Sequence, residues 1–301
     1  MSEVVPVTEP RFTLAEGPVW DAARERILWV DIIEGTVLVG RLSGDGIEIE
    51  AEHDFETYVG ATVPAADGSL LVAGTRTLTR LDPDGTRRTS APEPSVGPRD
   101  RFNDGICDAQ GRLLIGTLSL PKDHRDQRLL QLDGSSVRVL EDDLGLANGM
   151  AFSPDDSLLY TVDSVPGRVW VRSYDHATGA PGERELLIDL PDVTPDGMCV
   201  DAEGHLWIAI WGGGQVRRYS PAGDLVDVIE LPAPHVTSVA FVGPALDRLV
   251  VTTARSELSD TQLGAHPLSG ALFLTRPGVS GLPTHPWSGT LAAPSPTGAA
   301  R

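Results

Sequence analysis

Six times along the chain, a pair of apolar residues follows a turn at nearly constant spacing. The copies are Arg26-Ile27-Leu28-Trp29, Ser69-Leu70-Leu71-Val72, Arg112-Leu113-Leu114-Ile115, Ser157-Leu158-Leu159-Tyr160, His205-Leu206-Trp207-Ile208 and Arg248-Leu249-Val250-Val251. Counted from Ile27, successive copies are 43, 43, 45, 48 and 43 residues apart. Such a period fits a four-stranded propeller blade or a pair of solenoid helices. The segments are short, rich in Val, Ile, Leu and Trp, and bounded by Asp/Gly turns, which is strand chemistry. A further strand follows before another turn, as in Leu78-Thr79-Arg80-Leu81 and Val216-Arg217-Arg218-Tyr219. Val169–Tyr174 and Ala271–Leu274 fill the same slot.

The repeats run without a linker from about Glu16 to about Gly281. The expectation is therefore an all-β fold: one six-bladed β-propeller domain over residues 1–301, with four antiparallel strands per blade. A blade cannot bury its faces alone, so the ring must close. Val4-Val5-Pro6-Val7 is expected to complete the last blade, and the Ala/Pro/Ser/Gly tail at 292–301 to fray.

Composition narrows the partners. A net charge of -19, with Lys122 the single lysine, argues against nucleic acid, which needs clustered Lys and Arg. No stretch approaches the roughly 20 apolar residues of a membrane span. Met1 to Pro10 is polar and lacks an apolar signal core, so a cytoplasmic protein is expected. Cys107 and Cys199 lie in apolar strands, without metal-ligand spacing, and read as buried reduced thiols. Whether the chain is a monomer or a weak dimer stays open.

In a propeller the first strand of each blade lines the central channel, so its first residues meet at one mouth. Blade one brings Glu16 before Gly17, blade three Asn103-Asp104 before Gly105, blade four Asn148 before Gly149 and blade five Asp196 before Gly197. Blades two and six depart from this, with Val59-Gly60 and Thr237-Ser238. Asp and Asn are also ordinary turn residues. Four of them around one axis, however, direct several oxygens at one spot, where carboxylates repel unless a cation lies among them. Oxygen donors favour Ca²⁺, Mg²⁺ or Mn²⁺.

Ala15–Trp20, Arg101-Phe102-Asn103-Asp104-Gly105, Ala147–Asp155, Pro195-Asp196-Gly197-Met198 and Gly270–Phe273 occur here together and in order. In this the chain resembles the SMP-30/gluconolactonase/luciferin-regenerating-enzyme, or regucalcin-like, family over nearly its whole length. The resemblance implies a six-bladed propeller with one divalent metal ion in the channel, and hydrolysis of a sugar lactone. Calcium is the preferred ion, with Mg²⁺, Mn²⁺, Zn²⁺ or Fe²⁺ as alternatives. By the same resemblance Glu16, Asn148 and Asp196 match the metal ligands, Asp196 also the catalytic general base and acid, and Arg101 and Asn103 the substrate-binding residues. Asp104, whose side chain should point away from that of Asn103 along the strand, is expected to support the site from behind.

After Gly116-Thr117-Leu118, animal members of that family carry acidic residues that contact substrate, whereas this chain has Ser119-Leu120-Pro121-Lys122-Asp123-His124. That loop is expected to roof the pocket and to alter the preferred sugar. Rival readings are hydrolysis of another ester, such as an organophosphate, and a non-catalytic calcium-binding or regulatory propeller. The chain has no GxSxG elbow, and Gly212-Gly213-Gly214 leads into a strand, so it reads as a tight turn. His235 alone among the histidines lies near the start of a channel strand and is a candidate hydrogen-bond donor to the pocket; Trp211, just after the second strand of blade five, could border the cavity, with packing the role expected first. Asp201 and Glu203 belong to the turn at the opposite end of blade five.

Overall fold

The computed structural model describes residues 3–44, 46–120, 126–134, 136–289 and 291. Six antiparallel sheets form a six-bladed propeller. Their inner strands are Ala15–Asp21, Ala61–Pro64, Asp100–Cys107, Ala147–Phe152, Thr194–Val200 and Val236–Val242. The six apolar pairs of the sequence fall on the second strands, of which Arg26–Asp31 and Leu206–Trp211 are typical. Within every blade neighbouring strands are antiparallel, so each chain direction ends at a defined mouth of the channel.

The second strands are apolar on both faces because each blade is covered by a neighbour on either side. Ile27, Leu28, Trp29 and Val30 are all fully buried. Outer strands lie at the rim and lose this cover: Arg87–Thr89 is exposed throughout, and Gly46–Asp54 alternates between half-buried and exposed. Six apolar clusters fill the blade interfaces. Leu28, Val30 and Val37 meet Leu70 and Val72 between blades one and two, and Trp207 and Val216 meet Val239 and Phe273 between blades five and six. Where the ring closes, Trp20, Ile27 and Trp29 meet Val242, Val250 and Leu272. Removing one such side chain, as in Leu→Ala, costs about 2–5 kcal/mol.

Closure takes the expected form. Strand Val5–Pro6 pairs with Phe273–Thr275 of blade six (Val5 opposite Leu274, Pro6 opposite Phe273), so the two ends of the repeat share a sheet. Blade four departs from four simple strands: its outer strand is split into Ala180–Pro181 and Glu185–Asp189, both paired with Arg168–Asp175. The turn between them accounts for the longest repeat spacing.

Beyond blade six the chain does not simply end. Residues 279–289 cross the far mouth of the channel. Ser280 O accepts from Ala202 N (2.8 Å), Trp287 N donates to Pro64 O (2.8 Å), Ser288 N donates to Gly111 O (3.0 Å), and His285 Nε2 lies 2.9 Å from Asp156 Oδ1. This strap has no repeat periodicity, and nothing in its sequence announces it. A cavity of about 230 Å³, largely apolar, lies between strap and channel. The expected fraying at 292–301 lies outside the described residues. Among those described, no helix is long and apolar enough to cross a membrane.

Candidate active site

Five of the six inner strands break register with their partners at one level. The slips fall between Glu16 and Val19, Phe102 and Gly105, Asn148 and Met150, Pro195 and Met198, and Val236 and Ser238. Such bulges re-aim side chains that a regular pleat would send into the blade interfaces. The Ala61–Pro64 strand of blade two pairs regularly and brings no carboxylate or amide. Two of the glycines after the site residues have a steric cause. A Cβ at Gly149 would collide with Asp196 O and Met198 N, and one at Gly197 with the Ser238 side chain, so adjacent inner strands touch here.

Two buried carboxylates hold the approach to these strands. Asp31 accepts from Thr13 N (2.7 Å) and Leu14 N (3.0 Å), and Asp163 Oδ1 from Gly145 N and Leu146 N (both 3.0 Å). Each therefore fixes the backbone two residues ahead of a site residue, Glu16 and Asn148. Both end a second strand, in Trp29-Val30-Asp31 and Thr161-Val162-Asp163, a repeated signal that the sequence reading passed over.

Glu16, Arg101, Asn103, Asn148 and Asp196 line one cavity of about 260 Å³, and none is more than 6% exposed. A directed chain of hydrogen bonds crosses three blades. Arg101 Nη1 donates to Asn103 Oδ1 (2.8 Å), Asn103 Nδ2 to Asn148 Oδ1 (3.2 Å), and Asn148 Nδ2 to Asp196 Oδ1. Asn148 Nδ2 also reaches Ser164 Oγ at 3.1 Å. Positive polarity thus runs from the guanidinium toward the Asp196 carboxylate.

The electrostatics of the site suit a bound cation. Burial, then Asp196, then Asp104 push the Glu16 carboxyl well above its ordinary range, against the Gly17 amide and Arg101. Burial pushes Asp104 up to about 6. Arg101 is drawn down to about 10 by burial, against Glu16, Tyr58 and Asp196. Three neighbouring carboxyl groups, of which Glu16 and Asp196 share one guanidinium, are a poor arrangement without a further cation. Carboxylate oxygens of Glu16 and Asp196 with the amide oxygen of Asn148 are the donor set of a hard divalent ion. The residues therefore fit such an ion.

Asp104 lies below this level and lines a smaller stretch of channel with Gly17, Thr62 and Ser238. The separation of Asn103 from Asp104 matches expectation, but the bulge produces it rather than simple alternation. Leu118 and Leu120 reach the cavity; the rest of the loop expected to roof it, from Pro121 to His124, lies outside the described residues. Trp211 lines the cavity, the second of the two roles open to it from the sequence. His235 is absent from the lining and stacks on Trp211, with ring centroids 4.0 Å apart and planes at 14°. Tyr58, Ser256 and Glu257 also border the cavity and carry no motif.

A second acidic group, Asp201, Glu203 and His205, has candidate ligand atoms within 4.8 Å of one another. It occupies the far-end turn, and Asp201 is already saturated. It accepts from the backbone N–H of Glu203 and His205, from Trp207 Nε1 at 2.9 Å, and from Arg218 Nη2 at 2.6 Å. A cation there would have to displace the guanidinium.

Residues 14–255 match the family model described as the SMP-30/Gluconolactonase/LRE-like region. A pentonolactonase of Haloferax volcanii is 39% identical over 93% of this chain and 96% of its own length. A 6-deoxy-6-sulfogluconolactonase of Pseudomonas putida is 35% identical over 89% and 92%. The crystal structure of a calcium-binding protein, regucalcin, from Agrobacterium tumefaciens superposes with a TM-score of 0.86 at 31% identity, covering 93% of this chain and 96% of that one.

Proposed function

The chain belongs to the SMP-30/gluconolactonase/LRE-like family, and from that premise we propose that it is a metal-dependent lactonase that opens the ring of a sugar lactone. The observation that carries this reading is the gathering of Glu16, Asn148 and Asp196 beside Arg101 and Asn103 in one cavity. Lactonases among the relatives support the substrate class. Glu16, Asn148 and Asp196 would hold the ion, with Ca²⁺ preferred in view of the calcium-binding relative. When bound, the ion supplies electrophilic assistance at the lactone carbonyl and lowers the pKa of an adjacent water.

The chain's own residues do the rest. Arg101 presents its remaining N–H donors to the sugar hydroxyls, and Asn103, whose two N–H donors are taken by Ala147 O and Asn148 Oδ1, offers Oδ1 as an acceptor; together they hold the ring in one orientation, a positioning effect. Asp196 takes a proton from the attacking water as the oxygen bonds to the carbonyl carbon. As the ring C–O bond breaks, Asp196 returns that proton to the departing ring oxygen, giving the open hydroxy acid. General base and acid assistance of this kind contributes about 10²–10⁴-fold. The donor chain ending at Asp196 keeps its carboxylate oriented between the two transfers. Two free thiols, Cys107 and Cys199, support a reducing compartment such as the cytoplasm.

A panel of five- and six-membered sugar lactones, followed by acid release after chelation and after return of each divalent ion, tests the reading. Ring opening should stop with chelator and return with metal. If no lactone opens under any ion, the proposal fails. Calcium binding without turnover would instead favour a binding propeller, the reading that the calcium-binding relative keeps in view.

A further inference from the structure

We infer that Trp211, braced from behind by His235, is the platform on which the sugar ring of the substrate stacks. This rests on the lactonase reading and adds to it a residue that fixes the plane of the ring. Trp211 lines the cavity, and the His235 imidazole covers one face of its indole at 4.0 Å. The opposite face is the one a bound ring can use.

The pair is anchored through its backbone and through the imidazole. Trp211 pairs with Thr194, two residues ahead of Asp196, and its backbone bridges to His235 of the next blade. His235 Nδ1 lies 2.9 Å from Ser256 O; a carbonyl only accepts, so Nδ1 carries the proton and the imidazole is fixed in its plane. The indole thus has little freedom to rotate out of the cavity.

The other aromatic residue of the lining is already engaged. The Arg101 guanidinium lies 5.9 Å from the centre of the Tyr58 ring. Arg101 belongs to blade three and Tyr58 precedes blade two, whereas Trp211 and His235 straddle blades five and six. The two aromatic groups therefore form opposite walls. A sugar lactone carries C–H bonds on its ring faces and hydroxyls around its edge. The electron-rich indole face suits polarised C–H bonds, and the hydroxyl edge is left for Arg101 and Asn103. Such stacking is made alike in bound substrate and transition state, so it lowers KM more than it raises kcat.

The test combines kinetics with binding. Trp211→Leu should raise KM for a six-membered sugar lactone about tenfold or more with kcat within about threefold, while Trp211→Phe keeps KM within about threefold. His235→Ala should raise KM, and His235→Phe, which restores a stacked ring, should recover most of that loss. Anhydroglucitol, a cyclic polyol without the carbonyl, should shift tryptophan emission in the native protein and not in Trp211→Phe. An unchanged KM in folded Trp211→Leu, or an emission shift that persists in Trp211→Phe, overturns the platform. If the native protein opens no lactone while the polyol still perturbs Trp211, the proposed reaction fails and the platform stands.

Discussion

The two mouths of the channel use aspartate in opposite ways. At the far mouth five of the six blades turn on a carboxylate with its partners supplied. Asp21 faces Arg26, Asp67 faces Ser69 and Arg80, Asp108 faces Arg112 and Tyr174, Asp155 faces Ser153 and Ser157, and Asp201 faces Trp207 and Arg218. Hydrogen bonds hold Asp155 down at about 2 and keep Asp201 low despite its burial. At the site mouth the carboxyl groups of Glu16 and Asp104 are pushed up instead, chiefly by burial. Carboxylates at one end tighten the folded state; those at the other burden it, a burden the proposed cation would relieve. The difference lies in the company each keeps.

Exchanging single residues between the two roles should sharpen this contrast. The largest effect is expected from Asp196→Asn, which should cut kcat by about 10³-fold, some 4 kcal/mol of barrier, while leaving the melting temperature of the metal-free protein unlowered. Steady-state rates beside a thermal melt check both halves; near-native kcat would remove Asp196 as the base. Asp201→Ala should do the reverse. Asp201 is fully buried, and its loss strands Trp207 Nε1, so unfolding free energy should drop by about 3 kcal/mol with kcat unchanged. Denaturant titration measures it, and a collapse of kcat in the folded variant would join the two mouths functionally.

A divalent ion at 100 times its Kd should stabilise the native chain by about 2.7 kcal/mol. Calorimetry should find that gain abolished in Glu16→Gln and kept in Asp201→Ala; the opposite pattern would move the ion to the far mouth. Without metal, Glu16→Gln should be slightly more stable than native, because it removes one of the crowded charges.

The smallest effect is a pH dependence of opposite sign at the two ends. The Asp104 carboxyl rises from an ordinary 3.8 to about 6 on folding, so in chelated protein its contribution is fully present below 3.8 and is lost as pH rises through 6. Native protein should therefore lose stability relative to Asp104→Asn across that window. Asp201 is lowered from 3.8, so its contribution is present above 3.8 and lost as pH falls through its lower folded value. Paired titrations of stability against pH, each with its variant, separate the slopes; parallel slopes would show that the two mouths do not differ.

Much of this was legible in the residues because burial writes itself into sequence. Ile27-Leu28-Trp29-Val30 reads as a strand since both its faces are covered, and five such segments beside it establish the period. The outer strands, among them Arg87–Thr89, left little trace because solvent imposes no pattern on them. Glu16, Asn148 and Asp196 could be picked out by their place in the repeat and the glycine after each. Asp31 and Asp163 recur as regularly, but what marks them is the backbone they hold, which no local pattern shows. Trp211 looked like a packing residue because hydrophobicity does not say which face of an indole is covered.

By itself the sequence determined the number of blades, the closure of the ring, and which residues begin the channel strands, because these follow from local periodicity and the need to bury two-sided strands. Tertiary structure alone decided the bulges that turn those residues inward, the donor chain from Arg101 to Asp196, the stacked Trp211 and His235, and the strap across the far mouth. Each of these depends on groups far apart in the chain meeting at distances of a few ångströms. No local pattern of residues specifies such a meeting; only the packing of six blades around one axis brings it about.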